Sequence, residues 1–437
     1  MDIFLATVVL SIAINGLFLQ NTNQVMKKTG LYRILAAVFA AILLFGCGED
    51  RTYEYLEMTK ENQWTYSKMK EVYLWADSIK TPARTDFFAA TTKFFTSLKY
   101  KNDLVSFFTD TVSAGTYGMT CAVMRDPIGE RPGKTYALVL NVEPGSPASL
   151  AGIRRGTWIT AVGGRALTTS NTSLLQSGAA TQIVTEYVGF SEEKNSYYWA
   201  GADTLQLAES TVSATIDIPV DRIFDLYDRY VGYMFVGGFA GENFKKHAAE
   251  VLDGFASANV SDIIIDLRYC SGGSMENAAW LASSLVPADK IGTPFCTLKG
   301  NGDETKAVYD YEDTGISLGD KSVYFIIGND TKGVSELLVT SLNESRAMND
   351  VITLGKKSAG ANVMVEEFAS PYGFSINPAT AYIYTSGGMA LSAAGISPDY
   401  SVNELATLPN VHELGMEQEF LLYNSLYLIV NGTLSYE

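Results

Sequence analysis

The sequence predicts an α/β, multi-domain α+β protein with helices first, a β-rich segment next, and alternating strands and helices last. Three observations lead there. Residues 48–111 carry aromatic side chains at helix-like intervals. Residues 112–211 turn to short strands broken by Pro-Gly and Gly-Gly. Residues 212–437 alternate apolar strand-like runs with amphipathic ones. At 437 residues and 47% hydrophobic content, the chain can build two or three domains with their own cores. Its formal charge is −16, and no Lys/Arg cluster is dense enough to track phosphates, which argues against nucleic acid as a partner. An aromatic content of 12%, without low-complexity segments or repeats, fits a folded globular chain.

The N-terminus reads as a targeting signal. From Met26 the chain runs MKKTGLYRILAAVFAAILLFGCGEDR. Lys27, Lys28 and Arg33 are followed by an apolar core from Ile34 to Phe45, the order of a secretory signal peptide. That core is short for a membrane-spanning helix. The ending LFGC resembles a bacterial lipobox, with Phe45 bulkier than that pattern prefers. The resemblance implies that Cys47 is lipidated and becomes the mature N-terminus. Residues 1–25 hold a second apolar stretch, IFLATVVLSIAINGLFL. Met26 as the true start explains it most simply, with a second anchor as the alternative. Residues 1–47 are therefore expected to form an upstream segment and signal peptide. The mature protein is expected to be anchored through Cys47 to a membrane in the envelope of a diderm bacterium, on its periplasmic or surface face. Glu49 and Asp50 resemble the acidic export tag of surface lipoproteins.

Beyond Cys47 the cysteines are Cys121, Cys270 and Cys296. An odd number without ligand-like spacing predicts neither a disulfide framework nor a zinc site, and no metal or other cofactor is expected. Buried free thiols are the simpler reading. His247 and His412 lie in helix-like polar contexts, FKKHAAE and NVHELG, and nothing arranges a Ser-His-Asp triad around either.

In residues 48–111, NQWTYSKMKEVYLWADSI and DFFAATTKFFTSLKY predict helices with Trp64, Met69, Tyr73 and Trp75 in a core. In residues 112–211, YALVLNVEPGSPASLAGIRRGTWITAVGGRAL predicts a strand, a Pro-Gly turn and a short helix from Pro147 that stops at Gly152. A second strand then ends at Gly163-Gly164. This run resembles a PDZ domain of the bacterial protease type, where GSPA…AG…GD.I..VNG recurs; Thr157 and Gly163 replace the usual aspartate and asparagine. The resemblance implies that a peptide is added as an extra strand, its terminal carboxylate held by a loop of backbone N–H groups. By order, that loop falls at Tyr117-Gly118-Met119.

From residue 212, YVGYMFVGGF reads as a strand, NFKKHAAEVLDGFASAN as a helix, DIIIDLRYCSGG as an apolar strand ending in glycines, and MENAAWLASSLV as a helix. A strand at 323–327, a helix from about 334, a strand at 351–354 and AYIYTSGG follow. Such alternation predicts a mostly parallel or mixed sheet with its site off the carboxyl ends of the strands. Gly272-Gly273 and the Gly333 turn fall at such ends.

These landmarks, with GKKSAGANV and GISPDYSV, resemble the C-terminal processing (tail-specific) serine peptidases over nearly the whole mature chain. The family cuts unfolded or tail-exposed proteins with a Ser-Lys dyad. The serine opens a helix in a TASASE motif, and the lysine sits in a G…GK loop beyond the next strand. A lysine in an apolar site can take the serine's proton while backbone N–H groups hold the oxyanion. Carried over residue by residue, Thr331 matches the threonine, Ser335-Glu336 match the final Ser-Glu, and the nucleophile position reads Gly333. Gly355 and Gly360 match the second loop's glycines, and the general-base position reads Ala361.

Both halves of the dyad are missing from this sequence. The surroundings are kept: Gly333 can cap the helix with Glu336 as its capping acid, while Val334, Leu337, Leu338 and Leu342 follow helical spacing. Gly272, Gly273 and Val334 remain candidates for the oxyanion-type N–H groups. The resemblance thus implies a catalytically impaired lipoprotein that binds peptides or unfolded protein C-termini. One alternative is an active serine endopeptidase with a shifted pair, Ser335 with Lys356 or Lys357, Lys332 also being near. Two residues along a helix is about 200° round it, so Ser335 is expected to point away from a ligand over position 333. The other alternative is a non-enzymatic PDZ-type scaffold.

Overall fold

A computed structural model of the chain describes residues 52–110, 116–210, 217–346, 350–409 and 411–435. The signal segment and Cys47 lie outside the described residues. The chain divides into two compact units, Met1–Lys60 and Glu61–Glu437. Of the first, residues 52–60 are described. They are helical, and the Thr59 hydroxyl donates to the Tyr55 carbonyl at 2.6 Å. They open helix α1 (Thr52–Val72).

Within the second unit, α1 stops at Val72, short of the predicted length. The chain is drawn off by bonds to distant strands: Leu74 N–H donates to the Ala379 carbonyl at 2.8 Å. Trp75 heads only a single 3-10 turn, Ala76–Ser78. Met69, Tyr73, Phe94 and Phe95 are buried, the last two on helix α2 (Thr91–Leu98). They pack on Phe374, Ile376 and Ala379, so this helical segment shares its core with residues some 300 positions away.

The β-rich segment is an antiparallel sheet. Its strands run in the order β1 (Met119–Arg125), β2 (Thr135–Val142), β3 (Trp158–Val162), β4 (Thr181–Ser191) and β5 (Ser196–Leu207), with Arg165–Ala166 folded back on β3. Helix α3 (Pro147–Leu150) is capped by the Ser146 hydroxyl, which accepts from Ser149 N–H at 3.2 Å. Alternation along the strands buries both faces. Ala137, Val139, Ile159 and Ile183 close the sheet's own core. Tyr136, Leu138, Trp158 and Trp199 pack against Tyr269, Leu405, Leu408 and Val411.

The second large sheet has six strands: β6 (Val220–Asp225), β7 (Tyr230–Phe235), β8 (Asp262–Asp266), β9 (Ser322–Ile327), β10 (Val351–Gly355) and β11 (Tyr400–Ser401). They lie in the order β11-β10-β9-β8-β7-β6, and every neighbouring pair is parallel except the β6–β7 hairpin. Helices α4 (Phe244–Ser257), α5 (Met275–Ser283) and α6 (Val334–Ser345) cover one face over Ile263, Ile265 and Phe325. Helix α7 (Phe420–Asn431) covers the other over Ile264, Ile326 and Leu354.

One expected strand sits elsewhere. Ala379–Tyr384, which overlaps the start of AYIYTSGG, joins a separate antiparallel sheet in the order Thr305–Asp310, Pro294–Lys299, Ala379–Tyr384, Val363–Val365. Among the described residues no helix is long and apolar enough to cross a membrane, and no group of acidic, His or Cys residues could hold a metal ion. Cys270 and Cys296 are buried free thiols, Cys121 a partly exposed one.

Candidate active site

The turn after β9 is held from below. Thr331 is fully buried. Its hydroxyl accepts from Gly328 N–H at 2.9 Å and donates to the Leu267 carbonyl at 2.7 Å, and its own carbonyl accepts from Ala359 N–H at 2.9 Å. The turn is thereby tied to the end of β8 and to the loop after β10. Gly333 then caps α6 with φ 61° and ψ −114°, a conformation that glycine adopts readily and an L side chain only with strain.

Glu336 closes the arrangement. Buried one turn into α6, its carboxylate accepts from Gly333 N–H at 2.9 Å, Gly360 N–H at 2.7 Å and Ala361 N–H at 2.8 Å, and also from the Ser358 hydroxyl. One carboxylate fastens both loops, with charge-assisted bonds throughout. A Cβ built on Gly333 would find only the Ala361 Cβ nearby, at 4.0 Å. The two positions face each other.

On the far side, Gly273 bridges to Phe239, with Phe239 N–H donating to the Gly272 carbonyl and Ser274 N–H to the Phe239 carbonyl, each at 3.1 Å. A Cβ on Gly273 would meet the Phe239 carbonyl carbon at 2.6 Å, so the close approach requires glycine. Gly272, Gly273, Gly333, Val334 and Ala361 line one cleft of about 440 Å³.

Residues 60–111 match the peptidase S41 N-terminal domain, and residues 230–402 match peptidase family S41. The chain belongs to peptidase family S41. It is 22% identical, over 320 residues, to the carboxy-terminal processing protease CtpA of Bacillus subtilis. That match takes in 72% of this S41 chain and 63% of the relative, so the chain spans less than two thirds of that protein's length. A Bacteroides fragilis chain assigned to the S41 proteases superposes with a TM-score of 0.72 at 23% identity, covering 85% of this chain and 97% of that one. The fold is therefore the S41 protease fold. The photosystem II D1 C-terminal processing protease gives a TM-score of 0.49 at 16% identity, over 81% of this chain and 94% of that one.

The other sequence-predicted residues of this S41 chain are dispersed. Ser335 is fully buried, and its hydroxyl donates to the Cys270 carbonyl at 3.0 Å, away from the cleft. Neither Lys356 nor Lys357 lines the cleft; Lys356 N–H continues the β-ladder to the Ile327 carbonyl at 3.0 Å. Tyr117 is buried in the β-rich core, its hydroxyl on Ser177 and the Ala179 carbonyl. The Gly118 N–H is turned back onto the Thr116 hydroxyl at 3.3 Å. Met119 lines a second cleft, of about 750 Å³, between the β-rich sheet and the strand ends. The two clefts share Ser271 and Lys332. His247 lies on α4, whereas His412 lies outside any helix and lends its carbonyl to Arg155 Nε at 2.7 Å.

Sequence reasoning missed the charge cluster behind this S41 site. Arg268, two residues beyond β8, chelates Asp266 and Glu419 through bonds of 2.7–3.1 Å. Arg155 of the β-rich sheet joins it through Glu404 at 2.7 Å, Tyr269 at 2.8 Å and Glu419 at 3.0 Å. Burial alone would raise the Glu404 carboxyl, but Arg268 and Arg155 outweigh it and hold it down at about 2. The lip residues Leu104 and Phe107 were missed as well. The RR of GIRRG and the DLR of the apolar run DIIIDLRYC were the available signals for the cluster, and neither pointed to Glu404 or Glu419.

Proposed function

We propose that this S41 chain binds peptides or unfolded protein C-termini without cutting them. The observation that carries the reading is the facing pair Gly333 and Ala361, which offers no nucleophile and no base at the positions that match the family's dyad. The Glu336 carboxylate keeps both loops in place around an open cleft, which supports retained binding. Burial of Ser335 and its bond to Cys270 favour this reading over a shifted dyad. Lipid attachment at Cys47 would hold the protein at the cell envelope, beside exported substrates.

The test is fluorophosphonate labelling together with cleavage of unfolded casein by the mature chain. Neither is expected. Gly333→Ser alone should do little, because a serine without a base is a weak nucleophile at neutral pH, and Ala361→Lys alone should do as little. The double variant should label, though slowly if the refilled site is loose. Strong native cleavage that disappears in Ser335→Ala would overturn the reading in favour of the shifted pair.

A further inference from the structure

Fifteen residues line the cleft at Gly333, and Lys332 is the only charged one among them, in a chain whose formal charge is −16. Lys332 is exposed, and its ammonium has no carboxylate partner among the described residues. The other walls are largely apolar, built by Leu104 and Phe107 at the mouth and by Met275, Val363, Met364 and Ile383. Leu104 is 91% exposed, a large aliphatic side chain left in water at the rim of an apolar hollow. Val363–Val365 is the outer strand of its antiparallel sheet, so the backbone groups on its free side remain open to an extended chain. Beyond Lys332, the adjoining cleft is lined by Glu143 and Asp330, which repel an anion and restrict it to the Gly333 side.

We infer that the cleft holds the free C-terminus of an extended peptide with an apolar last residue. The α-carboxylate pairs with the Lys332 ammonium, the last side chain enters the apolar hollow, and the backbone lies along Val363–Val365. This rests on the non-cleaving reading above and goes further, by naming the cleft that takes the terminal carboxylate and the residue that pairs with it. The carboxylate is read in the emptied catalytic cleft, whereas at the predicted Tyr117–Met119 loop the Gly118 N–H is already bonded within the chain.

The experiment is fluorescence anisotropy with a short fluorescein-labelled peptide ending in Leu-Val, as free acid and as amide, against the mature chain. The amide should bind about tenfold more weakly, the scale of one charge-assisted contact. Lys332→Gln should weaken the acid by the same factor and abolish the difference, and Lys332→Arg should restore it. Leu104→Ser, at an exposed position that leaves folding intact, should weaken acid and amide alike. Failure of the acid to bind at millimolar concentration overturns the inference, as does equal affinity for acid and amide. A difference that persists in Lys332→Gln also overturns it and assigns the carboxylate to the loop before β1. Fluorophosphonate labelling of the native chain is read separately: it removes the non-cleaving reading whatever Lys332 does.

Discussion

Glu336 joins Gly333, three residues before it, to Ser358, Gly360 and Ala361, more than twenty residues after it. Its capping role was legible, because an acid three positions past a helix cap is a local pattern. Its grip on the second loop was not, because helical spacing carries no information about a tertiary partner. Replacing Glu336 by alanine leaves buried donors unpaired, and should cost about 3 kcal/mol in urea unfolding. The same substitution should loosen the Ala361 loop, visible as faster amide exchange at Gly360 and Ala361. Gly333 is a subtler case. A Cβ there meets nothing closer than 4.0 Å, yet φ is 61°. Gly333→Ala should therefore destabilise by about 1–3 kcal/mol through the backbone alone.

Among the elements, the strands and helices from β7 to β10 could be read from apolar runs and glycine stops, because each is a local pattern of the right length. Ala379–Tyr384 could be read as a strand but not assigned to a sheet. Its buried apolar run is the same whether its neighbour is parallel or antiparallel, and its partner Pro294–Lys299 lies about eighty residues upstream. The β-rich sheet's place in the molecule was equally hidden, since it depends on Arg155 meeting Glu404 and Glu419. Arg155→Ala leaves those carboxylates with less compensation in a buried setting, and should cost about 3–5 kcal/mol. Limited proteolysis should then release the β-rich sheet from the rest of the second unit. An undiminished urea midpoint with an unchanged digestion pattern would show that the apolar contacts of Trp158 and Leu138 hold the sheet unaided.

For the molecule as a whole, the cluster sets an acid limit. The Glu404 carboxyl is depressed from 4.5 to about 2, so it contributes stability above the unfolded value, and that contribution is lost as pH falls through the folded one. The Glu404 contribution to unfolding free energy should be constant above about pH 5 and fall by on the order of 3 kcal/mol between about pH 4.5 and 2, whereas burial raises the neighbouring Asp266 carboxyl and its contribution runs the other way. Glu404→Gln should flatten part of that slope while lowering stability at pH 7. An acid slope identical in wild type and Glu404→Gln would mean that Glu404 is not held as the arginines imply.

The same cluster bears on the order in which the chain is completed. Arg155 and Arg268 emerge from synthesis well before Glu419, which follows them by 264 and 151 residues. Until that glutamate and Glu404 have both arrived, the two guanidinium groups destined for burial have only Asp266 as counter-charge, and burying them is unfavourable. The β-rich sheet should therefore dock against its neighbour only late, with the arginine pair as a check on completeness. A chain cut after Asn403 should leave that sheet folded but undocked, and a quality-control protease should find the joint open.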